Sequence, residues 1–303
     1  TYIAFSLLTV AHQAWGAMLA SDDAQRSRYV AWREGLGLAG VLVASVLPTL
    51  AGMGPTVVAL AVALPIAWLA WTAAPRPVPR AIPGKFDRTL PLRDPAFRSL
   101  LAVFVLNGIA SAIPATLVLF FVQDRLAASP AHEPWFLATY FLAAAASIPV
   151  WLKIADRLGL AGAWLLGVGL AVVVFIFAAA LGTGDEAAFL AVCALSGFAL
   201  GADLALPGAL LAGVIDRAGL KGRGEGLYFG WWNLATKANL ALAAGLALPL
   251  LAAAGYSPGA RDETALAALT VAYCVLPCIF KCAAGALLYF QFIRKAKVQW
   301  STT

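Results

Sequence analysis

Nine apolar stretches, most of them about 20 residues or longer, follow one another at roughly 1–20, 31–52, 55–74, 99–123, 134–154, 160–182, 186–214, 226–254 and 264–293. About 20 residues of helix, at 1.5 Å each, cross the ~30 Å hydrocarbon layer of a bilayer. Apolar residues make up 62% of the chain and charged residues 12%. A soluble domain carries about 25% charged residues because its surface must meet water. A surface that meets lipid lifts this requirement. The sequence therefore predicts an all-α, multi-pass membrane protein with nine spans.

The basic residues lie between the stretches. With the 21–34 connection taken as cytoplasmic, alternate connections hold Arg26, Arg28 and Arg33; six basic residues within 75–98; Lys153 and Arg157; Arg217, Lys221 and Arg223; and Arg294, Lys295 and Lys297. The other side holds only Arg125 and Arg261. The positive-inside rule then places the C-terminus in the cytoplasm. The net charge of +6 follows from topology, so nucleic acid is not an expected partner.

The proline-rich, basic stretch 75–98 is the longest connection and reads as a linker between two helix bundles. It divides the chain into 1–74, the linker 75–98, and 99–303. The chain opens on Thr1, directly in an apolar stretch and without a signal-peptide pattern, which predicts a missing N-terminal part. Cys274, Cys278 and Cys282 recur every four residues on one predicted helix face. They read as packing residues, since that helix offers no His or carboxylate to complete a metal set.

Ionisable groups at lipid depth cost about 2.5–3.5 kcal/mol or more, so they face protein or water and are functional candidates. The central ones are Asp203, Lys237 and Lys281. Asp203 lies mid-span between Gly201 and Pro207, where a broken helix can turn a carbonyl into a cavity. Lys237 shares a polar and aromatic face with Trp232, Asn233 and Thr236. Lys281 could equally snorkel or pair with another helix. His12, Gln13 and Trp15 cluster in the first span. Arg33 and Glu34 open the second, either as an interface pair or as cavity lining. Asn107 adds milder polarity to the fourth. HExxH and P-loop patterns are absent from the sequence, and no nucleotide-binding domain accompanies the spans.

Three stretches carry a resemblance: HQAWGAMLASDDAQRSRYVAWREGLGLAG, KIADRLG, and LALPGALLAGVIDRAGLKGRGEGLYFGWWNLATKANLALAAGLALPLL. The chain resembles the glycoside–pentoside–hexuronide cation symporters, the sodium:galactoside, melibiose-permease-like branch of the major facilitator superfamily. This resemblance implies two six-helix bundles joined by a cytoplasmic loop. The match begins at the fourth of twelve helices, which implies a major facilitator fold with nine helices present. It places Asp156, Arg157 and Gly159 in a cytoplasmic gating motif, and Arg33 on a sugar-contacting arginine. Lys237 falls on a lysine near the cation and sugar sites, Asp203 close to an aromatic position of the sugar pocket, and Gln13 near another sugar contact. Two departures weaken sodium coupling. The fourth-helix acid is neutral here, near Thr9, and Gly213 stands where an Asp usually precedes the VID sequence.

The expected function is secondary active transport of a sugar or related small polar solute. Gln13, Arg33, Asp203, Trp232, Asn233 and Lys237 would line its site, with His12, Trp15, Asn107 and Lys281 as further cavity residues. A coupling Na⁺ or H⁺ is implied, with no other cofactor, in a monomer of the bacterial inner membrane. The competing readings are a transporter of a non-sugar substrate, a transporter-like solute sensor without flux, and a lipid-modifying membrane enzyme.

Overall fold

The computed structural model describes residues 2–77 and 87–295. All regular structure among them is helical: α1 (Tyr2–Leu19), α2 (Asp23–Ala51), α3 (Met53–Ala73), the short α4 (Leu90–Arg93), α5 (Pro95–Phe120), α6 (Glu133–Ala178), α7 (Glu186–Arg217), α8 (Glu225–Ala253), α9 (Glu263–Thr270) and α10 (Leu276–Leu288). Wider π turns continue α5 through Phe121–Arg125, join α9 to α10 through Val271–Val275, and extend α10 through Tyr289–Arg294.

The 46 residues of α6 are two spans. Gly159, at φ +72° and ψ 163°, leaves helical geometry between them. Glycine has no Cβ and adopts positive φ at little cost, which makes it the natural residue for this reversal. With α6 divided, the described helices supply the nine spans that the apolar stretches predict. Six of the continuous helices are long and apolar enough to cross a membrane.

Helix starts differ from the apolar boundaries. α2 begins at Asp23, not near residue 31, because Asp22 caps it by accepting from Gln25 N at 2.8 Å. The 21–34 connection is therefore a tight turn followed by the first three turns of helix, which carry Arg26, Arg28 and Arg33 and which hydropathy cannot see. Likewise α5 begins inside the proposed 75–98 linker: Asp94 accepts from Ala96 N at 2.9 Å, and Pro95 occupies the first helical position. The segment 78–86 of that linker lies outside the described residues, together with its Arg80 and Lys85; so does Lys297.

α6 and α7 form the centre of the molecule, and α7 is the most buried span. Small residues allow their backbones to approach. A β-carbon at Gly201 would collide with Ser147 Oγ, one at Gly197 with the Tyr140 carbonyl oxygen, and one at Gly167 with Ala202. This is how membrane helices pack where lipid removes the hydrophobic drive between them. Around this pair the buried side chains form two clusters. One contains Phe97, Trp151, Trp164, Leu211, Ile215 and Tyr228. The other contains Leu117, Phe121, Phe136, Phe189, Tyr256 and Tyr273. α3 exposes apolar side chains on every face, from Val57 to Trp68, as a lipid-facing span does.

Cys274 and Cys278 are buried, whereas Cys282 is exposed. The expected single cysteine face is therefore not maintained. Four-residue steps drift by about 40° each around a helix of 3.6 residues per turn, and two such steps carry Cys282 off the packed side.

Opposite ends of the bundle are tied differently. At the basic end, buried Arg26 of α2 pairs with Asp216 of α7 and, at 2.7 Å, with Asp23. Trp231 Nε1 donates to Arg88 O at 3.0 Å. At the other end, buried Asp124 accepts from Tyr256 Oη and from Gly259 N (2.9 Å), and Arg261 donates to the Asp124 carbonyl at 3.0 Å. Burial, aided by that contact with Asp124, pushes the Tyr256 phenol above its usual pKa.

Candidate functional site

The residues that sequence reasoning gathers into one site occupy separate places. His12, Gln13, Trp15 and Arg33 line a small cleft of about 50 Å³, closed by Val30 of α2, Gly208 and Ala212 of α7, and Phe229 of α8. α1 presents His12 and Gln13 as consecutive residues and α2 brings Arg33 to them. Gly208 gives α2 room, with its missing β-carbon 3.5 Å from Val30 Cγ2. Trp15 stacks on Trp71 of α3, with ring centroids 5.1 Å apart at 28°, and His12 lies 5.1 Å from the same indole. Gln13 Oε1 is buried and has no hydrogen-bond partner among the described residues. Arg33 bonds Glu34 through Nε (2.9 Å) and Nη2 (2.6 Å). Arg33 and Glu34 do not stand at a helix start, since α2 begins at Asp23; they pair with each other, and Arg33 lines the cleft.

Asp203 lies elsewhere, within the bundle of α5, α6, α7 and α10. Its Oδ2 is 3.0 Å from Lys281 Nζ, and its Oδ1 accepts from Trp164 Nε1 at 2.7 Å. Lys281 Nζ also donates to Asn107 Oδ1 at 2.8 Å. The lysine side chain is 4% exposed and the aspartate 12%. Lys281 therefore does not snorkel. Adjoining this pair is a cavity of about 160 Å³, whose lining includes Ser111, Tyr140, Phe141, Ser196 and Tyr273.

Trp232, Asn233 and Lys237 of α8 form a third group. Trp232 stacks on Phe104 of α5, with centroids 3.7 Å apart at 23°. Lys237 Nζ donates to Ser6 Oγ of α1. These contacts tie α8 to α5 on one side and to α1 on the other. Asp156, Arg157 and Gly159 sit at the exposed reversal inside α6.

Trp164 escaped the sequence reading, although a tryptophan at span depth signals an N–H in need of a partner. Asn239 was also missed. It is buried against Gly108, and its Oδ1 lacks a partner among the described residues. The described residues hold no group of three His, Cys, Asp or Glu able to bind a metal.

A family profile described as MFS/sugar transport protein matches residues 87–295, well over half of the chain. The chain belongs to this family. It is an integral, multi-pass membrane protein of a transporter family with the major facilitator fold. No curated protein matches this MFS protein significantly. The matched region holds the Asp203–Lys281 pair and the α8 group, while the Gln13–Arg33 cleft draws its polar residues from outside it.

Proposed function

We propose that this MFS protein is a secondary active transporter, of the glycoside–pentoside–hexuronide cation symporter branch, that moves a sugar or related small polar solute by alternating access. The observation that carries this reading is the Gln13–Arg33 cleft, where α1 and α2 meet α7 and α8. A buried amide oxygen without a partner among the described residues, a guanidinium and two aromatic faces suit a polyhydroxylated ring: amide and guanidinium bond hydroxyls, and aromatic faces stack on the ring.

In this reading, residues 1–74 belong to one helix bundle and 99–303 to the other, with 75–98 as the cytoplasmic linker. Trp232, Asn233 and Lys237 lie along the solute path. The basic end, the C-terminus and the Asp156–Arg157–Gly159 reversal face the cytoplasm of a bacterial inner membrane. A proton or cation gradient supplies the driving force by binding one conformation better than the other.

The test is counterflow by the full-length protein in lipid vesicles, with radiolabelled D-galactose, D-xylose and D-glucuronate as hexose, pentose and hexuronate probes. Saturable counterflow of at least one probe, reduced about tenfold by Gln13→Ala or Arg33→Ala, is expected. Absence of counterflow for every probe, with the protein folded, removes the reading.

A further inference from the structure

Away from the solute cleft, α2 presents a second face to α6. Arg28, Ala31, Trp32, Gly35 and Leu36 follow one another around helical turns of α2, and Ala145, Ile148, Pro149 and Leu152 do the same on the first half of α6. The two stripes wall a groove of about 480 Å³. The cleft takes Arg26, Tyr29, Val30 and Arg33 from α2. A helix turns by about 100° per residue, so the two sets fall on roughly opposite sides of α2. The groove therefore looks outward from the cleft.

Small and buried residues form its floor. Ala31 is 7% exposed and Ile148 4%, and a β-carbon at Gly35 would meet no atom within 4 Å. Trp32 and Leu36 stand exposed along the rim. From Arg28 to Leu36 the helix rises about 12 Å, so the groove descends from the basic end of the bundle into hydrocarbon depth.

Its lining is apolar except at the basic end. There Arg28 is exposed, and so is Lys153, one turn beyond Pro149 on the same side of α6. Neither forms a salt bridge among the described residues. Asp156 and Arg157 follow Lys153 and balance each other in charge. An apolar trough headed by two uncompensated cations matches a molecule with an anion at the membrane surface and a hydrocarbon tail below it.

We propose that the α2–α6 groove is a binding site for an anionic phospholipid. Its phosphate sits at Arg28 and Lys153, and one acyl chain lies along Gly35 and Ile148. The planar guanidinium of Arg28 can donate two parallel hydrogen bonds to phosphate oxygens, and the chain covers the apolar wall. Lipid held here fills the seam between α2 and α6. It differs in this from the lipid around α3, which exposes apolar side chains on every face and offers no groove among the described pockets. The site does not depend on which solute the protein carries.

The experiment is photo-cross-linking of the full-length protein in phosphatidylcholine vesicles that contain a trace of phosphatidylglycerol with a diazirine in its acyl chain, followed by peptide mapping. Cross-links concentrated in 28–36 and 145–152, and well above those on α3, are expected. Unlabelled phosphatidylglycerol competes them away, whereas added phosphatidylcholine does not. The double variant Arg28→Gln with Lys153→Gln lowers them about tenfold. Gly35→Leu, whose side chain enters the open trough, lowers them as far while leaving the thermal midpoint unchanged. Labelling spread evenly over α3 and the groove, or unaltered in both variants, overturns the proposal. Competition by phosphatidylcholine as effective as that by phosphatidylglycerol overturns the anionic assignment. A groove that takes no label because another segment or a second copy covers it overturns the proposal too, and disulfide cross-linking of Trp32→Cys between copies identifies the second case.

Discussion

Lys281 Nζ sits 3.0 Å from Asp203 Oδ2 and joins α10 to α7 at mid-span, 78 residues apart in sequence. Each residue is the other's compensation for burial at lipid depth. Lys281→Met alone leaves a buried carboxylate with one indole donor and is expected to cost about 3–5 kcal/mol. The double variant Asp203→Leu with Lys281→Met removes both charges and recovers most of that loss. Thermal unfolding of the purified protein in detergent measures both. Additive losses in the double variant would show that the pair is not coupled.

Overpacking should be felt where α6 meets α7. Gly201→Val places a branched side chain where Ser147 Oγ already stands. The expected cost is about 1–3 kcal/mol, read as a lower midpoint of thermal unfolding. Gly169→Ala, at a glycine with open space around it, is the control and should leave the midpoint unchanged.

The cleft between α1–α2 and α7–α8 can be locked. Val30 and Gly208 face each other closely enough for Val30→Cys and Gly208→Cys to form a disulfide, since a β-carbon at 208 would lie 3.5 Å from Val30 Cγ2. Oxidation is expected to abolish counterflow of the transported sugar, and reduction to restore it. Full counterflow in the oxidised, cross-linked protein would mean that these helices do not separate during transport.

Within that cleft, Gln13→Ala removes the buried Oε1, which has no partner among the described residues. Apparent affinity for the transported sugar should fall about tenfold, equivalent to ~1.4 kcal/mol, with thermal stability unchanged. A loss of stability with unaltered affinity would instead make Gln13 a packing residue.

Asp262 gives a pH dependence with a defined sign. Its carboxylate accepts from Thr264 Oγ1 at 2.7 Å and from Ala265 N at 3.0 Å, and these bonds hold its pKa below the ordinary value. A depressed carboxylate pKa contributes stability that is present above the unfolded value near 3.9 and is lost as pH falls through the folded one. The start of α9 should therefore loosen below about pH 4. Amide exchange at Thr264–Leu266, corrected for intrinsic rates, reports it, and Asp262→Ala should remove the pH step.

What the sequence determined by itself is whatever depends on the chain's neighbours along its own length. Apolar runs must form internally hydrogen-bonded helices in lipid, so nine spans could be counted, with a break between the stretches 134–154 and 160–182; that Gly159 makes the reversal there is seen only in the structure. The ionisable residues at depth could be named because their cost in hydrocarbon does not depend on the fold. Only the tertiary structure decided which of them meet. Asp203 has Lys281 and Trp164 as partners, and Lys237 has Ser6, because helix rotation and inter-helix packing are set by small-residue contacts such as Gly201 against Ser147. These juxtapose side chains far apart in sequence, and no local periodicity encodes the pairing. The separation of the Gln13–Arg33 cleft from the Asp203–Lys281 layer is therefore a property of how the helices pack.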